Sequence, residues 1–296
     1  MGVVLAGAAW SWAAPPTAAS PITVQVVAAD AAKQTLTVSG TDEFDNKLPA
    51  PDKTGNQTVA VGAGDAGIGY VGHQVTGDLS QNADGWRLDA IFPADPAPAA
   101  LVTEATRRLH ENVVAEGRRS FVDVGDEIPD FALYDQSGHV VQAASLRGRR
   151  LVLNFIFTSC AQPTMCPAST QRMGQLQRAL QDAKIDDVTL VTITFDPEHD
   201  TPGVLRQYGQ AYGLDFNNYL LLTGPAPEID DLMTEFGILR QTVDGILQHT
   251  MATILVTPEG RIVFRRESNL WTAGDFVERI KDEEAAAKSA PKPAAG

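Results

Sequence analysis

Cys160 and Cys166 are the only two cysteines of the 296-residue chain, and five residues separate them. An apolar run from Leu151 to Phe157 precedes them and predicts a buried strand, while Pro167 favours the first turn of a helix directly after the second cysteine. A strand that delivers thiols to a helix N-terminus is a reactive geometry, because the helix dipole and free N–H groups stabilise a thiolate. The pattern predicts redox-active thiols at Cys160 and Cys166.

A static disulfide between the two cysteines is the alternative. The closed loop would span only the seven residues from Cys160 to Cys166, which gives about 2 kcal/mol in the loop-entropy model. Two cysteines in so long a chain also exclude a disulfide scaffold. Stability is therefore a weak reason for this spacing, and we favour functional thiols.

The elements that follow the thiols predict an α/β domain with a mixed sheet flanked by helices. Met173, Leu176 and Leu180 form the apolar stripe of the helix that opens at Pro167. A β-branched run over residues 188–195 is typical of a central parallel strand. The other predicted helices span 204–212, 228–236 and 272–281, and the other predicted strands span 219–222, 252–257 and 261–265.

Composition and charge restrict the class of protein. With 44% hydrophobic and 20% charged residues, the chain has an ordinary globular composition and ample material for a core. Its net charge of -14 argues against a nucleic-acid or anionic-membrane partner, because both require basic patches.

The chain is expected to contain five segments. Residues 1–20 resemble the end of a secretory signal, since they are apolar as far as Ala14 and too short to span a bilayer. Four short strands, at 22–27, 35–38, 71–79 and 86–92, predict a small all-β, barrel-like domain over residues 21–96, with loops from Thr41 to Gly69. A connecting helix is predicted within 97–120, an α/β domain over 121–284 and a disordered tail over 285–296. The Pro-Asp-Phe that starts at Pro129 and the Leu-Arg-Gly that starts at Leu146, ahead of the long apolar run, resemble the start of thioredoxin-like domains.

Three short motifs in the second half of the chain follow one another in an order that is typical of one protein family. The cysteines with Pro167 come first, the acidic run Asp-Pro-Glu-His-Asp-Thr-Pro from Asp196 to Pro202 comes second, and His249 precedes a strand. Together they resemble the SCO/SenC family, which are exported thioredoxin-fold proteins that handle copper. The resemblance covers about residues 125–281. One departure is the spacer, because the family pattern has three residues between the cysteines and this chain has five.

The resemblance implies that Cys160, Cys166 and His249 bind a copper ion and that the same thiols exchange with disulfides. Two thiolates and an imidazole suit copper, particularly Cu(I), whereas structural zinc usually requires four ligands. Asp196 and Asp200 are accessory candidates, although Asp200 and Thr201 also suit caps of the helix that begins at Pro202. His199 and Met165 are weaker ligand candidates.

Three functions remain open. The first is a copper chaperone, exported to the periplasm or the outer face of the cytoplasmic membrane, that assists copper delivery to the copper-A site of cytochrome c oxidase. Its partner would be the copper-A subunit or another copper acceptor, with membrane attachment through the N-terminus. The second is a thiol–disulfide oxidoreductase acting on a copper acceptor or on other exported thiols. The third is a thioredoxin-like interaction module with an inert disulfide.

Overall fold

The computed structural model describes residues 20–40, 55–117, 121–243, 246–268 and 270–289. The predicted leader, apart from Ser20, and the last seven residues of the predicted tail lie outside this part of the chain. The predicted fold class is confirmed: a five-stranded closed barrel precedes an α/β unit built on a seven-stranded mixed sheet. No helix in the described part of the chain has the length and apolarity needed to cross a membrane.

The barrel is formed by the first five strands and is filled by alternating apolar residues. Val24, Val26, Leu36 and Ile91 are among its buried side chains. Neighbouring strands are antiparallel except for β3 and β5, whose parallel contact closes the barrel in the order β1-β2-β3-β5-β4. The strands are β1 (Ser20–Asp30), β2 (Thr35–Gly40), β3 (Asn56–Ala60), β4 (Gln74–Asn82) and β5 (Gly85–Pro93), and helix α1 (Ala63–Ile68) lies between β3 and β4.

The second unit is organised around three adjacent parallel strands, β8, β9 and β10, which are buried throughout or nearly so. The full order of its sheet is β14-β13-β8-β9-β10-β6-β7, and its outer pairs are antiparallel. A separate two-stranded sheet pairs β11 with β12. The strands are β6 (Ala132–Asp135), β7 (Val140–Gln142), β8 (Arg150–Ile156), β9 (Val188–Thr194), β10 (Tyr219–Thr223), β11 (Arg240–Val243), β12 (Ile246–His249), β13 (Thr253–Val256) and β14 (Ile262–Arg266).

Helices cover both faces of this sheet. Leu153 and Phe155 of β8 contribute to a core shared with α2 and α5, whereas Val152 contributes to a core shared with α3 and α6. This division follows from the alternation of side chains along a strand. The helices are α2 (Pro96–Glu116), α3 (Cys166–Asp182), α4 (Pro202–Ala211), α5 (Ala226–Glu235) and α6 (Ala273–Ser289).

Two expectations about local structure need correction. Strand β3 and helix α1 lie in the stretch where loops are expected to dominate. β3 is ordered by pairing with β2, and the Gly- and Asp-containing sequence of α1 is ordered by packing on the barrel and on α4. Helix α6 continues to Ser289, which is five residues into the predicted tail. The alanine-rich sequence of that stretch favours the helical extension.

Candidate metal centre

Cys160 lies on the loop that connects β8 to α3, and Cys166 lies where this loop ends. Cys166 is the first residue of α3 and is fully buried, whereas Cys160 is partly exposed. Both are free thiols in the structure. The longer spacer folds into a turn in which the Met165 N–H donates to the carbonyl oxygen of Gln162 at 3.0 Å. The enlarged spacer therefore still allows the two sulfurs to lie close together.

His249, the last residue of β12, completes a cluster with the two cysteines. The Sγ atoms of Cys160 and Cys166 and a ring nitrogen of His249 all lie within 4.8 Å of one another. The Nε2 atom of His249 is 3.4 Å from the sulfur of Cys166. Its Nδ1 atom lies 2.8 Å from the carbonyl oxygen of Thr250, which can only accept a hydrogen bond. Nδ1 therefore carries the proton, and Nε2 presents a lone pair to the sulfurs.

Two aromatic rings hold the imidazole in place. The ring centroid of Phe195 lies 4.5 Å from that of His249, and Phe157 approaches edge-on at 5.8 Å. Phe157 directly follows β8 and Phe195 directly follows β9, and both are buried. These rings limit the rotation of His249 and exclude water from one side of the cluster.

Burial also determines the protonation of the cluster. Burial lowers the pKa of His249, so the imidazole is neutral at pH 7 and available as a ligand. Burial, reinforced by the neighbouring Cys160, raises the pKa of the Cys166 thiol. Burial at this position therefore works against the thiolate that a helix N-terminus would otherwise stabilise at Cys166.

Asp200 does not belong to the cluster, and it holds the cysteine loop instead. Its buried carboxylate accepts hydrogen bonds from the backbone N–H of Thr158, at 3.0 Å, and from the hydroxyl groups of Thr158 and Thr194. Thr158 lies two residues before Cys160. The acidic loop follows β9, the parallel neighbour of β8, so the two loops meet at one edge of the sheet.

The remaining accessory candidates also have other partners. Asp196 lies outside the cluster and pairs with Nδ1 of His199 at 2.9 Å. Thr201 is the N-cap of α4 and accepts from the N–H of Val204, as expected of a cap. Asp200, which was expected to share this capping role, bonds to Thr158 and Thr194 instead. The sequence alone does not show that Thr158 and Thr194 lie next to Asp200.

The donor set of the cluster fits a soft monovalent metal ion. Two sulfurs and one imidazole nitrogen with a free lone pair are ligands that Cu(I) prefers. A buried thiol with a raised pKa loses its proton far more readily when a cation supplies compensating charge, and a bound metal ion does so. The Cys166 sulfur is well suited to binding a metal and poorly suited to acting as a free thiolate.

A sequence model of the SCO1/SenC family matches residues 123–283, which is more than half of the chain. The chain belongs to the SCO1/SenC family. The resemblance drawn from the three motifs is thereby confirmed. The match begins at residue 123, so the barrel lies outside the family region.

Individual proteins of known sequence or structure are similar to this chain. The SCO1 protein homolog of Bacillus subtilis is 33% identical over 141 residues, which cover 46% of this chain and 72% of that protein. The solved structure of BsSco, described as a member of the Sco family of cytochrome c oxidase assembly proteins, is 29% identical. It covers 55% of this chain and 96% of that one, with a TM-score of 0.48. The structure of Bradyrhizobium japonicum ScoI with copper bound is 28% identical and covers 54% of this chain and 99% of that one, with a TM-score of 0.45.

Proposed function

We propose that this SCO1/SenC protein is an exported copper chaperone that holds Cu(I) between Cys160, Cys166 and His249. The observation that carries the proposal is the convergence of their three donor atoms within 4.8 Å, with the lone pair of Nε2 facing the sulfurs. Three ligands leave a coordination position open, which permits transfer of the ion to a partner. Copper is thus cargo that the protein passes on.

The proposed acceptor is the copper-A subunit of cytochrome c oxidase or another exported copper protein. Support comes from family membership and from the apolar N-terminal residues, which resemble the end of a secretory signal. The proposed location is the periplasm or the outer face of the cytoplasmic membrane, with the N-terminus as the attachment point. The partial exposure of Cys160 gives an acceptor thiol access to the ion.

An anaerobic titration of the reduced full chain with Cu(I), in competition with a chromophoric chelator, tests the metal site. One tight equivalent is expected, and Cys160→Ser, Cys166→Ser and His249→Ala are each expected to weaken it by at least a hundredfold. His139→Ala is the matched control, since this imidazole is 80% exposed and pairs only loosely with Asp135 at 3.8 Å. Binding that survives all three ligand substitutions would end the copper proposal.

The unequal exposure of the two sulfurs favours thiol–disulfide exchange as a second candidate function. Once deprotonated, the accessible Cys160 can attack a partner's disulfide, forming a mixed disulfide and releasing one partner thiol. Cys166 then displaces the second partner thiol and closes a Cys160–Cys166 disulfide, so that two electrons pass to the partner. A Cys166→Ser variant should trap the mixed disulfide with an oxidised acceptor. Absence of both trapping and copper binding would favour an inert interaction module.

A further inference from the structure

Helix α1 of the barrel crosses the first turn of α4 at a pair of glycines. A Cβ atom added to Gly64 would lie 1.8 Å from the carbonyl oxygen of Gly203, and one added to Gly203 would lie 2.3 Å from a carboxylate oxygen of Asp65. Real Cβ atoms do not approach other atoms so closely, so the contact exists only because both residues lack a side chain. Helix α1 of the barrel therefore packs directly against the backbone of α4.

Asp65 is the polar part of this contact. The residue is 7% exposed, and its carboxylate accepts a hydrogen bond from the hydroxyl group of Tyr70 at 3.2 Å and contacts Gly203 in the first turn of α4. The positive end of the α4 dipole favours a carboxylate at this position. Burial raises the pKa of Asp65 to about 6, so the group is mostly ionised at pH 7. A charged side chain of the barrel is therefore packed against the N-terminus of α4.

Helix α4 in turn reaches the supports of both thiols. Immediately before its N-cap, Asp200 binds the backbone and hydroxyl group of Thr158, next to the Cys160 loop. Farther along, the hydroxyl group of Tyr208 lies 2.8 Å from that of Thr170, which donates to the carbonyl oxygen of Cys166 at 3.0 Å. A shift of α4 would therefore displace the anchors of both sulfurs.

We propose that the barrel positions the two thiols through α4, and that Asp65 and Gly203 are positioning residues of the thiol–imidazole cluster. Groups that support metal ligands through a second contact commonly change metal affinity by ten- to a hundredfold when they are altered. The barrel lies outside the region matched by the family, so this support is an addition to the family fold. The inference rests on the proposed function only in taking copper as the ion.

Gly203→Ala tests whether the barrel positions the thiols through α4, because its methyl group would collide with the carboxylate of Asp65. We expect about a tenfold loss of Cu(I) affinity and a shifted reduction potential for the Cys160–Cys166 pair. Removing the carboxylate in the double variant Asp65→Ala/Gly203→Ala should recover most of the lost affinity and potential, because the obstructing atoms are then gone. What remains should be about the two- to threefold loss of affinity that follows from losing the hydrogen bond between Tyr70 and Asp65. Hydrogen exchange of the α1 amides reports whether the barrel has loosened.

Gly213→Ala is the matched control for a purely structural effect. Gly213 follows the far end of α4 with φ +65°, so alanine is strained there, and nothing lies within 4 Å of the added Cβ. This variant should lower the melting temperature while leaving affinity and potential unchanged. If Gly203→Ala does not fold, Tyr70→Phe removes only the hydrogen bond to Asp65 and should shift both values in the same direction, by about two- to threefold in affinity.

The readouts separate this inference from the proposed function. The reduction potential is measured in a thiol redox buffer without copper. It therefore tests the positioning of the thiols by the barrel even if the wild-type protein binds no Cu(I). Unchanged affinity and potential in a folded Gly203→Ala protein with faster exchange in α1 would overturn the inference. Equal shifts in Gly213→Ala, or failure of the double variant to recover, would overturn it as well.

Discussion

Replacing Asp200 by alanine is expected to destabilise the protein and its metal site together. The carboxylate is fully buried and accepts three hydrogen bonds, from the N–H and hydroxyl group of Thr158 and from the hydroxyl group of Thr194. A hydrogen bond to a charged group contributes about 1.5–3 kcal/mol, and an orphaned buried donor costs about 1–3 kcal/mol. The two hydroxyl groups can rotate toward other acceptors, whereas the backbone N–H cannot.

The cost of burying the carboxylate offsets part of the stability that these hydrogen bonds provide, and the raised pKa of Asp200 reflects this cost. We therefore expect Asp200→Ala to lower the free energy of unfolding by about 3 kcal/mol. Asp200→Asn is the matched comparison, because its amide oxygen can still accept from the N–H of Thr158 and its NH2 group can donate to a hydroxyl oxygen. The asparagine variant should lose only about 1 kcal/mol.

Urea denaturation followed by circular dichroism measures these free energies. Cu(I) competition on the same samples should show about a tenfold loss of affinity for Asp200→Ala, because Thr158 fixes the start of the Cys160 loop. An alanine variant within 0.5 kcal/mol of the wild type, or an asparagine variant as unstable as alanine, would refute the anchoring role of Asp200.

Four further predictions concern single residues. Burial raises the pKa of Glu228 from 4.5 to about 7. The folded state therefore holds this proton more tightly than the unfolded chain, and stability should fall by up to about 3 kcal/mol as pH rises from about 4.5 past 7. Glu228→Gln should flatten that part of the pH dependence in unfolding measurements at pH 5 and pH 8, and an unaltered slope would contradict it. Thr201→Ala removes the N-cap of α4 and should lower the free energy of unfolding by about 1 kcal/mol in the same urea assay. An unchanged free energy would show that Thr201 does not stabilise α4 as a cap. Phe155→Ala removes a fully buried ring that packs 5.1 Å from Phe236 and should cost about 3–5 kcal/mol, so a loss below 1 kcal/mol would count against this packing. His199→Ala should leave Cu(I) affinity within about twofold, because this imidazole is bound to Asp196 and 73% exposed; a larger loss would make it a ligand.

Much of the second half could be predicted because its local patterns agree with its tertiary structure. The apolar run after Arg150 forms β8 nearly as predicted, and the helix expected to open at Pro167 begins one residue earlier, at Cys166. The ligand candidates were recognisable because Cys, Cys and His stand in the family order. Periodicity and residue type carry this information without any tertiary contact.

The features that were missed depend on contacts between distant segments. Helix α1 has two glycines and an aspartate in six residues, so its intrinsic helix propensity is low. The helix is stabilised by its packing against α4, which is a tertiary contact. The pairing of Asp200 with Thr158 depends on two loops meeting at one sheet edge. The raised pKa of Cys166 follows from burial, which the position of a residue at a helix N-terminus does not reveal.

The most direct test of the copper site is X-ray absorption spectroscopy of the full chain loaded with one equivalent of Cu(I). The geometry predicts two sulfur ligands and one imidazole nitrogen. The imidazole scattering should vanish in His249→Ala, and one sulfur should be lost in either Cys160→Ser or Cys166→Ser. A shell of nitrogen and oxygen alone, or an imidazole signal that persists in His249→Ala, would contradict the central claim that these three side chains hold the ion.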